Sequence, residues 1–416
     1  MRVFPATVTP DGRRIVGARA LRGLVDGFVS VLLASYLSDA GFSPFQVSAI
    51  VTGTLLGSAV LTLGIGLMGY GIHRRTLLLI SCGLMCATGL GFVTITAFWP
   101  LLLVAIVGTM NPSSGDVSVF LPVEQALLAE AAEDHDRTAL FARYNLGGLF
   151  AAAVGSLSVG APLALGVALG ATRVDAQRWS FLVYAVVAVA LLWLYLGLRS
   201  EQQAGRGASS PLRESRSIVF RLSALFSLDS FGGGFVVQSL LTLWLFERFD
   251  LSVEVAGAIF FVAGLLSALS QLAAPRLAAR IGLVNTMVFT HLPANGLLMA
   301  AAFMPNAYLA VGCLLTRMLF SSMDVPARQS YTMSVVPPAE RAAAASVTNV
   351  PRSLAAALAP LGAGAMLEAT SFGWPLIVGG AIKATYDILL WLQFRSVPPR
   401  AAGTAEAPSS APAERR

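Results

Sequence analysis

Residues 122–153, PVEQALLAEAAEDHDRTALFARYNLGGLFAAA, align without a gap with residues 326–357, PARQSYTMSVVPPAERAAAASVTNVPRSLAAA, at an offset of about half the 416-residue chain. Pro122 pairs with Pro326, Gln125 with Gln329, Arg137 with Arg341 and Asn145 with Asn349. A second echo joins Asp26-Gly27-Phe28 to Asp229-Ser230-Phe231. A repeat of this period means two halves of common design.

The medium of those halves follows from composition. Hydrophobic residues make up 56% of the chain and charged residues 12%, against about 25% charged in a soluble domain. The mean hydropathy is +0.73, so the chain needs lipid as its solvent. The net charge of +6 comes from arginines scattered through short turns. There is no basic helix face and no aromatic stacking set, which argues against nucleic acid. Cys82, Cys86 and Cys313 all lie in apolar stretches and read as packing thiols. No metal-ligand spacing, nucleophile–base pair or phosphate-binding Gly-x-x-x-x-Gly-Lys loop is present, so neither an enzyme, a cofactor site nor a nucleotide-driven pump is expected. No cleavable signal peptide is visible at the polar start MRVFPATVTPDGRR.

A spanning helix takes about 20 mostly apolar residues, and twelve segments qualify: 16–38, 46–69, 76–96, 99–122, 139–165, 179–198, 218–246, 254–275, 282–304, 307–326, 342–367 and 373–394. The expected fold is an all-α membrane protein, twelve transmembrane helices in two pseudo-symmetric six-helix bundles. The bundles are residues 1–198 and 218–395. Between them lies a polar linker, 199–217, and a Pro/Ala/Ser-rich tail follows at 396–416. Arginines gather at the N-terminus, in alternate turns (Arg74, Arg75, Arg137, Arg276, Arg280, Arg341), in the linker and at the C-terminus. By the positive-inside rule both termini are cytoplasmic.

An ionisable residue at bilayer depth costs about 2.5–3.5 kcal/mol on insertion scales and so asks for a reason. Counting along the segments gives Asp26, Asp116, Asp229, Arg317, Arg352, Lys383 and Asp387. Asp26 and Asp229 hold matching places; with Asp116 they are candidates for binding and releasing a proton. The competing reading is a helix cap or cross-link. Arg317 and Arg352 have no basic counterparts in the first half, where Ser113 and Gly148 stand. They form an anion-binding pair, since Arg grips carboxylate or phosphate bidentately, or they are paired permanently with Asp116 or Asp229. Lys383 and Asp387, one helical turn apart, are expected to neutralise each other. Asn111-Pro112 interrupts the fourth segment, and a broken helix exposes backbone carbonyls to a ligand. After segments four and ten, Glu124-Gln125 faces Arg328-Gln329 in the repeat with opposite charge. With Arg137 and Arg341 they are expected to bridge the halves as a gate, unless they are solvated helix ends.

The pattern resembles the major facilitator superfamily over residues 15–395. The loop between segments two and three, Gly66-Leu67-Met68-Gly69-Tyr70-Gly71-Ile72-His73-Arg74-Arg75, is similar to that family's motif, with Tyr70 where the family has Asp. Pro275-Arg276-Leu277-Ala278-Ala279-Arg280-Ile281-Gly282 is its second-half echo, with Ala279 in place of the acid. Arg74 and Arg75 join the gate candidates on this ground. The Arg-x-x-Gln-Gly motif of proton-coupled exporters survives only as Gly115 in Asn111-Pro112-Ser113-Ser114-Gly115, and Arg317 is the replacement cation. The resemblance implies alternating access with Asp26 as first proton carrier, a monomer in the cell's inner membrane, and proton-coupled export of a small organic solute. The cationic second half points to an anionic or zwitterionic solute. The rivals are a uniporter or importer, and a receptor or assembly protein of the same fold.

Overall fold

The computed structural model describes residues 7–68, 72–113, 119–199, 212–337 and 340–397, with the backbone alone for 65–68, 134, 135, 137, 138, 341 and 342. In chain order the helices of the first half are α1 (Pro10–Asp39), α2 (Pro44–Met68), α3 (Arg74–Thr94), α4 (Phe98–Val107), α5 (Leu121–Glu130), α6 (Asp134–Leu157), α7 (Gly160–Ala168), α8 (Arg173–Ser180) and α9 (Leu182–Leu196). Those of the second half are α10 (Arg216–Gly234), α11 (Gln238–Phe249), α12 (Val253–Ile281), α13 (Leu283–Ala302), α14 (Ala307–Ser321), α15 (Asp324–Val335), α16 (Arg341–Ala369) and α17 (Trp374–Phe394). No strand occurs among the described residues.

Among the described residues, ten spans are long and apolar enough to cross a membrane. Two of the twelve expected segments fall outside that set. The ninth, α13, has the length, 20 residues, but carries Asn285, His291 and Asn295. The fourth is broken. Its apolar piece α4 stops at Val107, Gly108 turns extended (φ −75°, ψ 177°), and the next helix among the described residues, α5, starts at Leu121. Pro112 has no N–H to donate and disfavours helix at Asn111 before it. The expected helix over 99–122 is thus broken after Val107, with Gly108 to Ser113 outside any helix. The seventh segment is also divided, between Gly234 and Gln238.

Helix α1 starts where Thr9 accepts a hydrogen bond from the Gly12 N–H, with Pro10 in the first turn. It stops where Gly41 takes φ +87°, and the Phe42 N–H closes back on the Leu37 carbonyl. From Val25 to Leu37 every residue is buried, so the helix runs through protein on all sides. Small residues make that possible. A Cβ on Gly23 would strike the Gly148 carbonyl, one on Gly27 the Ala152 carbonyl, and one on Gly155 the Leu24 carbonyl. Backbones of α1 and α6 therefore touch, as small-xxx-small helix pairs do in membranes.

The end of the molecule where the start of α1 meets the end of α9, through Arg14 on the Gly197 carbonyl and Asp11 on the Arg199 N–H, is here the near face. Towards the far face the halves are joined. Glu368 at the end of α16 accepts from the Ser43 hydroxyl (2.9 Å) and the Phe45 N–H (3.0 Å), capping α2 from the opposite half. Gly364 lies directly on Ser48, and Gly257 and Gly264 of α12 lie on Ser156 and Ala153 of α6. The two broken helices also meet: the Pro112 carbonyl accepts from both the N–H (3.2 Å) and the hydroxyl (2.9 Å) of Ser239 at the start of α11. That hydroxyl also reaches the Ser30 carbonyl of α1 at 2.7 Å.

Candidate functional site

Each half contains a buried charge cluster. In the first, Glu124 of α5 is fully buried. Its Oε2 accepts from Arg22 Nη2 at 2.7 Å and from the Tyr144 hydroxyl at 2.5 Å, and its Oε1 accepts from the Tyr195 hydroxyl at 2.5 Å. Arg22 also lies over the Phe120 ring, 4.8 Å from its centre. Three helices, α1, α6 and α9, thus converge on one carboxylate of α5. Asp26 sits one turn beyond Arg22 on α1, 3% exposed. It makes no hydrogen bond or ion pair among the described residues, although the charges of Arg22 and Arg19 reach it. Arg22 Nε and Nη1 are likewise buried without a partner.

In the second half Asp229 of α10 is the hub. Its Oδ1 accepts from Lys383 Nζ of α17 at 2.6 Å and its Oδ2 from Arg328 Nη1 of α15 at 3.1 Å. Arg328 is shared with Asp324, 3.4 Å away. His291 of α13 places Nδ1 2.9 Å from Asp387 Oδ1 and Nε2 3.9 Å from Asp229 Oδ1. Asn295 donates to Asp387 Oδ2 at 2.8 Å. All of these side chains are buried.

The Major Facilitator Superfamily model matches residues 15–360. The chain belongs to the major facilitator superfamily. It is similar to the uncharacterized membrane protein YJR124C of Saccharomyces cerevisiae, 23% identical, covering 91% of this chain and 92% of that one. Among solved structures it resembles the nucleoside transporter NupG (TM-score 0.70, 15% identity, 93% of this chain and 100% of that one). It also resembles the xylose transporter XylE from E. coli (TM-score 0.70, 14% identity, 94% and 97%). A bacterial homologue of the iron transporter ferroportin gives a TM-score of 0.72 at 15% identity, covering 91% and 97%. At these identities the likeness is one of fold. Family and fold are those of multi-pass membrane transporters, not of an enzyme.

Within this superfamily fold the expected pairings change. Glu124 and Arg328 do not bridge the halves: each is consumed inside its own half, by Arg22 and by Asp229 with Asp324. Lys383 and Asp387 do not pair, because Asp229 on the neighbouring helix reaches the ammonium and His291 reaches the carboxylate. Arg74 at the near face contacts Glu130 of the same half through both carboxylate oxygens, each at 2.9 Å. Arg75 is half-buried close by. Arg352 donates to the Ser230 hydroxyl at 2.9 Å. Arg317 is buried on α14 and makes neither hydrogen bond nor ion pair among the described residues. Asn111 lies in the break of the fourth span, where its Oδ1 accepts from the Ser113 hydroxyl and N–H. Asp116 and the side chains of Arg137 and Arg341 lie outside the described residues.

Arg22, Tyr144, Tyr195, Asp324 and His291 escaped the sequence reading. Arg22 had a signal, its spacing of one turn from Asp26. His291 had another, its place in the middle of an apolar segment.

Proposed function

We propose that this chain is a secondary active transporter that moves a small organic solute by alternating access, coupled to protons, in the direction of export. One observation carries the proton reading: Asp26 is buried with no hydrogen-bond or ion-pair partner among the described residues, one turn from a guanidinium whose Nε and Nη1 have none there either. A carboxyl shut away from water and cations holds its proton, and one that meets a guanidinium gives it up. A small shift of α1 or α5 therefore switches Asp26 between the two states. Its repeat mate Asp229 is held by two cations and serves as an anchor. Asp116 is proposed as a second proton group.

Arg317, Arg352 and Asn111 are proposed to contact the solute. A guanidinium cannot shed its charge, and among the described residues no carboxylate pairs with Arg317, which favours an anionic or zwitterionic solute. The far face is joined and capped by Glu368, so the solute path is proposed to open at the near face, between the termini. Arg-rich near-face turns support a cytoplasmic near face and an inner-membrane location. Arg74, Arg75, Arg137 and Arg341 are proposed to govern closure there. The chain is proposed to act as a monomer.

The test is accumulation in proteoliposomes under an imposed pH gradient, screened over anionic, zwitterionic and cationic solutes. The reading expects an anionic or zwitterionic solute to accumulate against its gradient only when the pH gradient is present. Solute movement that ignores the pH gradient would reduce the protein to a uniporter.

A further inference from the structure

We infer that the groove between α13 and α17 binds an anionic phospholipid, its phosphate held by Arg280 and Arg395 at the near face and its acyl chains laid along Phe289, Ile388 and Leu392. The two helices pack antiparallel. Glu368 sets the end of α16 at the far face, and Gly373 at the start of α17 abuts Ala302 at the end of α13. Helix α17 therefore ends at the near face with Phe394, followed by Arg395, and α13 begins there. The Phe289 ring stands edge-on to the Trp391 ring, centres 6.4 Å apart. That fixes the register and sets Arg395, one turn past Trp391, beside the first turn of α13. Arg280 is in the last turn of α12, two residues before Gly282, whose φ of +87° turns the chain straight into α13. Arg276 precedes Arg280 by one turn.

Charge and apolar surface lie end to end here. The Arg395 guanidinium lies over the Trp391 ring, 4.3 Å from its centre. Stacking of this kind holds the plane of the fork and leaves its N–H edge to an oxyanion. Arg276, Arg280 and Arg395 are all exposed, and none of them makes an ion pair among the described residues. No carboxylate competes for them locally, since residues 276–290 and 388–397 contain neither Asp nor Glu. Asp387 and His291, on the same two helices, are buried and occupied with each other. Away from the arginines the groove is apolar and open: Phe289, Ile388 and Leu392 are 53%, 51% and 54% exposed. The occupant follows from the medium. In a multi-pass membrane protein an open apolar face meets acyl chains, and a Trp near the end of a span sits at headgroup level. Basic side chains at that level, between two spans, select an anionic headgroup over a zwitterionic one. None of this depends on which solute the protein moves or on what drives it.

The test is native mass spectrometry of the full chain, equilibrated in detergent with equal amounts of phosphatidylglycerol and phosphatidylcholine of the same acyl chains. The parent protein is expected to retain phosphatidylglycerol in preference. Arg280→Gln with Arg395→Gln is expected to reduce that preference by about fivefold for each arginine removed. Arg216→Gln with Arg221→Gln takes the same charge from exposed positions of α10 and is expected to leave the preference intact. No preference in the parent overturns the inference, and so does an equal loss from the α10 pair. Displacement of the lipid by inorganic phosphate would make this a site for free anions and also overturns it. A second measurement needs no arginine variant. Phosphatidylglycerol with brominated chains is expected to quench the Trp391 share of the fluorescence, read as the difference between the parent and Trp391→Phe, more than brominated phosphatidylcholine does. Equal quenching by the two lipids overturns the inference.

Discussion

Glu124 and Arg328 stand at matching places of the repeat with opposite charges, and each is neutralised by the first span of its own half. Arg22 meets Glu124 at 2.7 Å and Asp229 meets Arg328 at 3.1 Å. The ion pair between first and fourth spans is thus kept in both halves with its polarity reversed. Each half is pinned internally, and the interface between halves is made by small residues, serine hydroxyls, helix breaks and the Glu368 cap on α2.

Removing one member of such a pair strands the other. Glu124→Gln is expected to lower stability by about 3–5 kcal/mol, the usual penalty for an uncompensated buried charge, read as a drop in melting temperature in detergent. Exchanging charges within the half, Arg22→Glu with Glu124→Arg, recovers part of the loss. Exchanging Glu124 with Arg328 recovers none, because Arg would then face Arg22 and Glu would face Asp229.

Asp26 and Asp229 provide a matched contrast. Asp229→Asn leaves Lys383 and Arg328 short of a carboxylate and is expected to cost about 3–5 kcal/mol. Asp26→Asn removes no hydrogen bond and is expected to change stability by less than about 1 kcal/mol. Thermal melts of the two variants side by side check this, and equal losses would contradict it.

At the far face Glu368 caps α2 across the interface. Lost caps typically cost about 0.5–2 kcal/mol, enough to shift a balance between conformations. Glu368→Ala is expected to open the far face. A cysteine placed at Ser48, buried under Gly364, would then be labelled faster from that side, in a background lacking Cys82, Cys86 and Cys313. An unchanged labelling rate would remove Glu368 from the closure.

Glu340, at the start of α16, holds the end of the linker where it enters α10. Its carboxylate is held down to about 2, first by the Ser215 hydroxyl and then by the backbone N–H groups of Glu214, Arg213 and Ser215, with burial opposing. A carboxylate lowered in this way stabilises the attachment above the ordinary value of 4.5, and the contribution is lost as pH falls from there through about 2. Glu340→Gln is expected to speed hydrogen exchange at residues 213–215 at neutral pH while leaving α1 protected.

The repeat and the long apolar runs made the helical membrane fold legible, because lipid imposes length and composition on every span. The break at Asn111-Pro112 was legible from proline chemistry, and the burial of Asp26, Asp229 and Arg317 from their places in apolar segments. Partner choice was not. Lys383 and Asp387 lie one turn apart, yet Asp229 and His291 on other helices take them. That outcome depends on how each helix is rotated about its axis. In α1, buried all round, the hydropathy pattern gives no rotation, so Arg22 could not be assigned to Glu124 from sequence.

The most direct test of the central claim is proton flux into proteoliposomes loaded with a pH dye, comparing the parent protein with Asp26→Asn on the same solute. The account predicts solute-driven proton movement in the parent and none in Asp26→Asn, with the variant folded. Equal proton movement in both would contradict it and return Asp26 to structure.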